Sequence, residues 1–588
     1  VIVTAAAIFL SAFLLFLVQP LTARGLLPMF GGSAAVWLVC LVFFQLCLLS
    51  GYYYAHALGR LSAARQALLH SSLLALALTA IWVLGARPIP SLSGDPTSAI
   101  LTSLTFRLGA PVVLLASTSP LLQRWAADAP IARGDVYRLF AVSNLGSLLG
   151  LWCYPFGLEP LATLATQWSV WAFGYSSFAA CAFLICVKVF RHGSGSRAGS
   201  RPAPWDVSET RRVDLPTRAL WLALPAVAAL HLFATSNQLT RNVASVPFLW
   251  VLPLSLYIAS FIATFESSRW YVRWFWSSAF LVSLGFVVSF LMASDEPDFV
   301  HQLIVYSVNL LSGCMICHGE LARERPHTSS LTSFYLHVAA GGALGGLFVS
   351  VLAPQIFVEF WEHPLALVAV YLVGGASILL SLSIVDEARR IQLFVVWGLG
   401  ALLLVGVLAS YVSAATRGSL LVTRNFFGVL RVYERFPETE RWQRYLLNGA
   451  ITHGSQLLTE ERRREPTLYY GADTGVGVSL RYDLSGEGRA KHVAIIGLGA
   501  GGLAAYGQPG DRYRFYELNP EVVDVARALF TFLQDSEAEV TVVEGDGRLS
   551  LERELDKTAG EGHGFDVIAV DAFTGDAVPV HLLTKEAF

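Results

Sequence analysis

The sequence predicts a polytopic α-helical membrane region of about 12–13 spans in two tandem repeats, followed by a small β-rich subdomain and an α/β domain. Three observations predict this class. Of 588 residues, 54% are hydrophobic and only 14% charged, with a mean hydropathy of +0.55; an average soluble protein carries about 25% charged residues. The deficit is confined to residues 1–412, and 413–588 read as ordinary globular sequence. Finally, residues 491–517 (KHVAIIGLGAGGLAAYGQPGDRYRFYE) place a short apolar strand, the glycine cluster Gly497, Gly499, Gly501 and Gly502, and a second strand ending in an acid in the order of a nucleotide-binding β-α-β unit.

The net charge of −2 gives no global field that would draw nucleic acid. All seven cysteines lie in apolar segments, which argues against a disulfide framework. Cys314-Met-Ile-Cys317-His318 spells the string of covalent haem attachment, but it ends an apolar helix and reads as a chance helix end. The chain begins without Met and stops at Phe588 where another helix pattern starts, so the expectation is a fragment lacking its C-terminal strands.

A span needs roughly 20 apolar residues. About thirteen candidates are centred near residues 10, 46, 77, 114, 147, 178, 229, 255, 282, 309, 342, 374 and 402. The first has no small-residue cleavage site after it and is read as a span. They divide into a first repeat over 1–190, a basic linker over 191–217, and a second repeat with one extra span over 218–415. The linker carries Arg191, Arg197, Arg201, Arg211 and Arg212, with Arg218 just beyond it, so the positive-inside rule makes it cytoplasmic. Arg60, Arg65, Arg124, Arg133, Arg323 and Arg325 have the same parity, which puts the N-terminus inside. With thirteen spans the soluble part would then face outward, away from cytosolic nucleosides, unless one candidate does not cross.

The repeat is weak in sequence. Gln19-Pro-Leu-Thr-Ala-Arg24 is echoed by Gln238-Leu-Thr-Arg241, and the pair Gly146/Gly150 by Gly342/Gly346. Such duplication resembles the major-facilitator plan and often frames a midplane site; the glycines themselves are better read as points of close helix approach. Gln45, Asn144, His231, Asn237, Gln238, Asn309 and His337 are polar residues within spans, either lining a pathway or bonding between helices. No Asp or Glu falls at a span centre, which disfavours cation import.

Residues 420–486 read as a β-rich subdomain, with a strand over 425–434 and another over 444–447 entering the hairpin signal Asn448-Gly449. Residues 487–588 read as an incomplete Rossmann-like, methyltransferase-type domain. Its strands are expected at 492–496, 512–518, 539–545 and 565–571, with a helix over 520–533 marked by Val522, Val523, Ala526 and Leu529. Parallel strands with crossover helices place ligands at their carboxyl ends, and these strands end at Gly497, Glu517, Asp546 and Asp571.

The order of L-N-G, the glycine loop, Y-E-L-N-P-E-V-V, G-D-G-R, F-D-V-I-A-V-D and L-L-T-K-E-A-F over about residues 420–588 resembles the spermidine synthases (polyamine aminopropyltransferases), and most closely their membrane-fused members. The resemblance implies a transferase taking decarboxylated S-adenosylmethionine, or S-adenosylmethionine, as co-substrate, a small amine as acceptor, no metal, and a possible dimer. It further implies that Gly497, Gly499, Gly501 and Gly502 face the sulfonium and ribose, that Glu517 holds the ribose hydroxyls, and that Asp546 with Gly547 reads the adenine edge. Asp571 would be the catalytic acid–base group, Asp576 an anchor for the far ammonium, and Tyr469 and Tyr470 walls of the substrate cleft. Two departures stand out. The family's G-G-G-D-G-G has Ala500 at its acid, and D-S-x-D-P becomes Asp571-Ala-Phe-Thr-Gly-Asp576. Ala500 also admits an S-adenosylmethionine-dependent methyltransferase. A transporter with a non-catalytic nucleoside- or polyamine-sensing domain is the third reading. The expected location is the bacterial plasma membrane, with the bilayer as partner.

Overall fold

The computed structural model describes residues 2–84, 94–127, 133–195, 214–241, 247–293, 297–326, 331–381, 386–449, 451–482, 489–557, 562–573, 578–585 and 587. Among these, 12 helices are long and apolar enough to cross a membrane, and the chain is an integral membrane protein. The remaining candidate, near residue 147, is the helix Arg133–Cys153, which runs on through Tyr154–Leu158 to Leu161.

Counting that helix as the fifth, the bundle shows its duplication in packing. The first helix (Ile2–Met29) packs most extensively on the fifth, and the seventh (Leu215–Thr240) on the eleventh (Ser333–Ile356). Small residues permit both contacts. A Cβ at Gly146 would stand 2.7 Å from the Phe9 carbonyl oxygen, and Gly150 lies as tightly on Phe13. In the second repeat the matching positions are Gly341, on Leu222, and Gly345, on Ala226. The expected pair Gly342/Gly346 is thus one residue out of register: Gly342 faces open space and Gly346 faces Gln45 and Phe233. A one-residue step turns a helix by about 100°, enough to move a glycine off the contact. Cys314, Cys317 and His318 are buried within the helix Phe299–Arg323, His318 bonding Ser260 at 2.9 Å.

The last membrane helix (Glu387–Thr416) leads into an antiparallel sheet of β1 (Ser419–Asn425), β2 (Gly428–Arg435), β3 (Gln443–Asn448) and β4 (Ile451–Leu457). The single strand expected over 425–434 is corrected to a hairpin. Asn425 ends β1 and its Oδ1 accepts from the Phe427 N–H, while Gly428 at φ 141° opens β2. The parallel sheet that follows contains β5 (His492–Ile496), β6 (Arg512–Glu517), β7 (Glu539–Glu544) and β8 (Val567–Val570), in the order β7-β6-β5-β8. The chain reverses direction of travel across the sheet between β5 and β8, and such a switch point leaves a crevice beyond the strand ends. The helix expected over 520–533 breaks into Pro520–Leu529 and Phe532–Asp535, because Gln456 Oε1 takes the Thr531 N–H at 3.0 Å and pins the chain there.

The soluble part is docked on the membrane part. Two ion pairs join the loop before the twelfth helix to β1 and β2: Arg424 with Glu362, at 5% and 1% exposure, and Arg431 with Glu359, 3.0 Å apart. Arg424 also stacks over Phe360, 4.6 Å from its ring centre, and Ser33 Oγ bonds the Phe426 carbonyl at 3.3 Å. Gly31, at φ 65°, lies so close to Leu518 that any side chain there would collide with it.

Candidate functional site

The tips of the parallel strands converge because backbone hydrogen bonds continue the sheet past its last residues. Gly497 N donates to Tyr516 O, Gly545 N to Glu517 O, and Asp571 N to Ile496 O, each at 2.8 Å. Beyond them lies a cavity of about 390 Å³, within the range of small-molecule sites. Its wall includes Gly497, Gly499, Glu517, Asp546, Gly547, Asp571, Tyr469 and Tyr470.

The glycine loop is held by close approaches on both sides. At Gly497 (φ 104°) a Cβ would stand 2.8 Å from the Asp571 carbonyl carbon; Gly499 (φ 53°) abuts the His453 carbonyl on β4. Gly501 and Gly502, expected to face the ligand, are absent from the wall. Gly501 (φ 84°) turns the chain against Leu533, and Gly502 packs under the Tyr470 ring. Ala500 is likewise buried at 2% exposure, with its Cβ aimed at Gly454 of β4. Position 500 therefore points into the joint between the two sheets.

Glu517 accepts from the Leu498 N–H at 2.9 Å and the Asn519 N–H at 2.8 Å. Burial raises its carboxyl above the usual range, and those backbone donors oppose the rise. Asp546 is engaged by the protein itself: Oδ1 caps the helix Gly547–Lys557 at the Leu549 N–H (3.0 Å), and Oδ2 meets His581 Nε2 at 2.8 Å. Tyr470 OH donates a short hydrogen bond to Asp571 Oδ2 and lies 3.4 Å from Tyr469 OH. Burial pushes Asp571 up to about 6, the Tyr470 hydrogen bond working against it. Burial first, then the Asp571 charge, raises Tyr470 far above the ordinary phenol range, so it remains a donor. At neutral pH the pair is a tyrosine-held carboxylate facing the cavity, suited to proton acceptance.

Sequence reasoning missed three parts of the wall. His453 stands on β4 with Nε2 buried and unpartnered among the described residues, and burial lowers its pKa, keeping it neutral. The membrane half supplies Arg241 and Phe360, among others, to the same cavity. The pattern Gln238-Leu-Thr-Arg241 marked the first of these only as a repeat signature. Asp576 lies outside the described residues.

No family model matches the chain. A polyamine aminopropyltransferase of Vibrio vulnificus (strain CMCP6) is 32% identical over 102 residues, which are 17% of this chain and 32% of that protein. The chain thus spans about a third of that relative's length. Among solved structures, a D-xylose-proton symporter matches with a TM-score of 0.42 at 12% identity, covering 66% of this chain and 98% of its own. A peptide transporter POT matches at 0.40 and 12%, covering 69% and 94%, and the nucleoside transporter NupG at 0.38 and 14%, covering 67% and 99%. The chain is an integral membrane protein carrying, on a short stretch, a partial likeness to a polyamine aminopropyltransferase.

Proposed function

We propose that this protein is a membrane-bound transferase of the spermidine synthase type, which moves an aminopropyl group from decarboxylated S-adenosylmethionine to an amine. The observation that carries the reading is the Tyr470–Asp571 pair, set in one cavity with Glu517 and the Gly497–Gly499 turn. The cradle suits a nucleoside: its backbone approaches closely where glycines leave room, and Glu517 offers a carboxylate to ribose hydroxyls. The bound sulfonium would supply an electrophilic methylene carbon with a thioether as leaving group. Asp571 holds the acceptor amine and takes its proton as the new carbon–nitrogen bond forms and the carbon–sulfur bond breaks. Tyr470 keeps that carboxylate ionised and oriented, and Tyr469 walls the cleft. Alignment of amine, carbon and sulfur contributes much of the remaining rate. The short likeness to a polyamine aminopropyltransferase supports this assignment, and the bacterial plasma membrane is the location it implies.

One observation favours a second reading. Position 500 is an alanine whose side chain faces Gly454, so it offers no carboxylate to an aminopropyl ammonium; an S-adenosylmethionine-dependent methyltransferase needs none there. Product analysis on the full chain in nanodiscs separates the two. Offered both forms of the co-substrate and a panel of amines, an aminopropyltransferase yields methylthioadenosine and a methyltransferase yields S-adenosylhomocysteine. Neither product, with nucleoside binding intact, would refute turnover and leave a sensing role.

A further inference from the structure

Chain parity and the docked sheets together bear on where the site operates. The soluble part seats on Gly31 and Ser33 between the first and second helices, and on Glu359 and Glu362 at the start of the twelfth. These loops lie at the end of the bundle where odd-numbered helices finish. The sixth helix finishes at the other end, and the sequence concentrates its cations in connectors of that parity: Arg60, Arg65, Arg124, Arg133, the arginines of 191–217, Arg323 and Arg325. By the same parity, the sequence of the opposite connectors holds Arg87, Arg241 and, before β1, Arg417, against acids at Asp95, Asp295, Glu296, Asp298 and Glu359. Arg24, at the same end, is paired with Glu159. Loop cations stay on the cytoplasmic side, so the soluble part is on the opposite face.

A charged nucleoside made in the cytosol does not cross a bilayer unaided, and the cavity continues into the bundle. Leu38 and Asn237, about one turn inside the second and seventh helices, and Ser350 in the eleventh belong to its wall. Below that mouth the second repeat contains buried polar side chains with unpartnered atoms among the described residues. His363, 3% exposed, has neither ring nitrogen hydrogen-bonded among the described residues, and its helix packs on the seventh, which carries His231 and ends at Arg241 at the mouth. His231 Nε2 meets the Asn309 carbonyl at 3.3 Å, and Asn309 Oδ1 is unpartnered. Asn309 lies ten residues along its helix, about 15 Å deep at 1.5 Å per residue, near the middle of a roughly 30 Å hydrocarbon core. His318, with Nε2 unpartnered, follows two to three turns further on, next to Glu320 at the cytoplasmic end. Buried polar groups left without partners in a membrane interior are costly and mark pathways.

We propose that the soluble domain works on the extracytoplasmic face and is supplied with its S-adenosyl nucleoside from the cytosol, through the second-repeat line His318–Asn309–His231–His363 into the shared cavity. The inference rests on the nucleoside reading of that cavity. Sidedness is tested in intact spheroplasts with a membrane-impermeant maleimide, on the full chain carrying Cys153→Ala. Glu460→Cys, exposed on the soluble part, should react without permeabilisation, and Ser62→Cys, exposed at the opposite end, only after it. The reverse pattern overturns the proposal.

Supply is tested in proteoliposomes selected for outward-facing soluble domains, with radiolabelled S-adenosylmethionine or its decarboxylated form sealed inside. Release at least tenfold faster than from protein-free vesicles is expected. Asn309→Leu should return it to the protein-free rate while binding to the detergent-solubilised variant is unchanged. Tight binding in detergent with no release from the lumen overturns the supply route and leaves the nucleoside site standing. No binding in detergent by the unaltered protein overturns the nucleoside site and the proposal with it.

Discussion

Tyr470→Phe removes one hydroxyl from the bond to Asp571 and leaves the ring that packs over Gly502 in place. A hydrogen bond to a charged group contributes roughly 1.5–3 kcal/mol, and one pKa unit corresponds to about 1.4 kcal/mol. Asp571 already titrates at about 6 because burial outweighs the Tyr470 bond. Losing the bond should raise it by about 1 to 2 units, to roughly 7–8. At pH 7 the ionised fraction would fall from roughly nine-tenths to between about a half and a tenth, and kcat/KM with it by about 2- to 10-fold. At pH 9 both proteins hold an ionised carboxylate and their rates should converge. The assay is a pH profile of kcat/KM for the free enzyme, following release of the thioether nucleoside from pH 5 to 9.5. An acidic limb that stays near 6 in the variant, or a loss that is the same at every pH, would refute this role for Tyr470.

Asp571→Asn is expected to abolish turnover, with nucleoside affinity, measured by calorimetry, changed less than threefold. The same change should stabilise the protein. The native pKa of Asp571 lies above the unfolded value, so its burial favours folding below about pH 4 and costs stability as pH rises through about 6. Removing the charge should therefore add about 2–3 kcal/mol at pH 8 and almost nothing at pH 4, read from denaturant unfolding of the soluble part. Glu517→Ala should weaken nucleoside binding by about tenfold or more, the cost of a lost charged hydrogen bond; an unchanged Kd would mean that the glycine turn serves another ligand. Ala500→Asp should not confer a preference for the decarboxylated co-substrate. It forces a carboxylate against Gly454 in a closed joint, at about 3–5 kcal/mol, and a folded variant with altered preference would contradict the placement. Glu362→Gln should loosen docking by a similar amount by leaving the Arg424 charge buried without a counter-charge, its bond to the Glu359 carbonyl remaining, whereas Glu362→Leu with Arg424→Met should be near neutral; limited proteolysis after residue 416 reports both.

What the sequence made legible follows from the range over which each signal acts. Hydrophobic runs are local, so every span centre read from composition falls within a helix. The strand tips Gly497, Glu517, Asp546 and Asp571 are also legible, since β-α-β connectivity brings such positions to one edge. Glycine roles are less so. A G-x-G-x-x-G string does not say which glycine meets a ligand and which meets Leu533 or Tyr470, because that depends on the side chains of the neighbouring sheet. The register of the second glycine pair failed for the same reason: GGALGGL offers two faces, and only the packed partner, Leu222 and Ala226, selects Gly341 and Gly345. The break at Thr531 depends on Gln456, 75 residues away.

The contacts that sequence could not signal at all are those between the two halves of the chain. An exposed Arg–Glu pair contributes little, but Arg424–Glu362 is nearly inaccessible, and burying two charges is offset only if their geometry is held. Such a joint fixes orientation more than it adds stability. It sets Leu518, next to Glu517 in the cavity wall, directly against Gly31 of the membrane half. A movement of the first two helices at Gly31 would therefore bear directly on the cavity wall at Leu518 and Glu517. Enlarging Gly31 to Ala should disturb both halves at once, through the collision with Leu518 and the strain of φ 65°. Nucleoside affinity in detergent and proteoliposome release should fall together in that variant, while Leu518→Ala, which makes room for the new methyl group, should recover much of the affinity. Independent responses of the two readouts would show that the halves share a surface without sharing a mechanism.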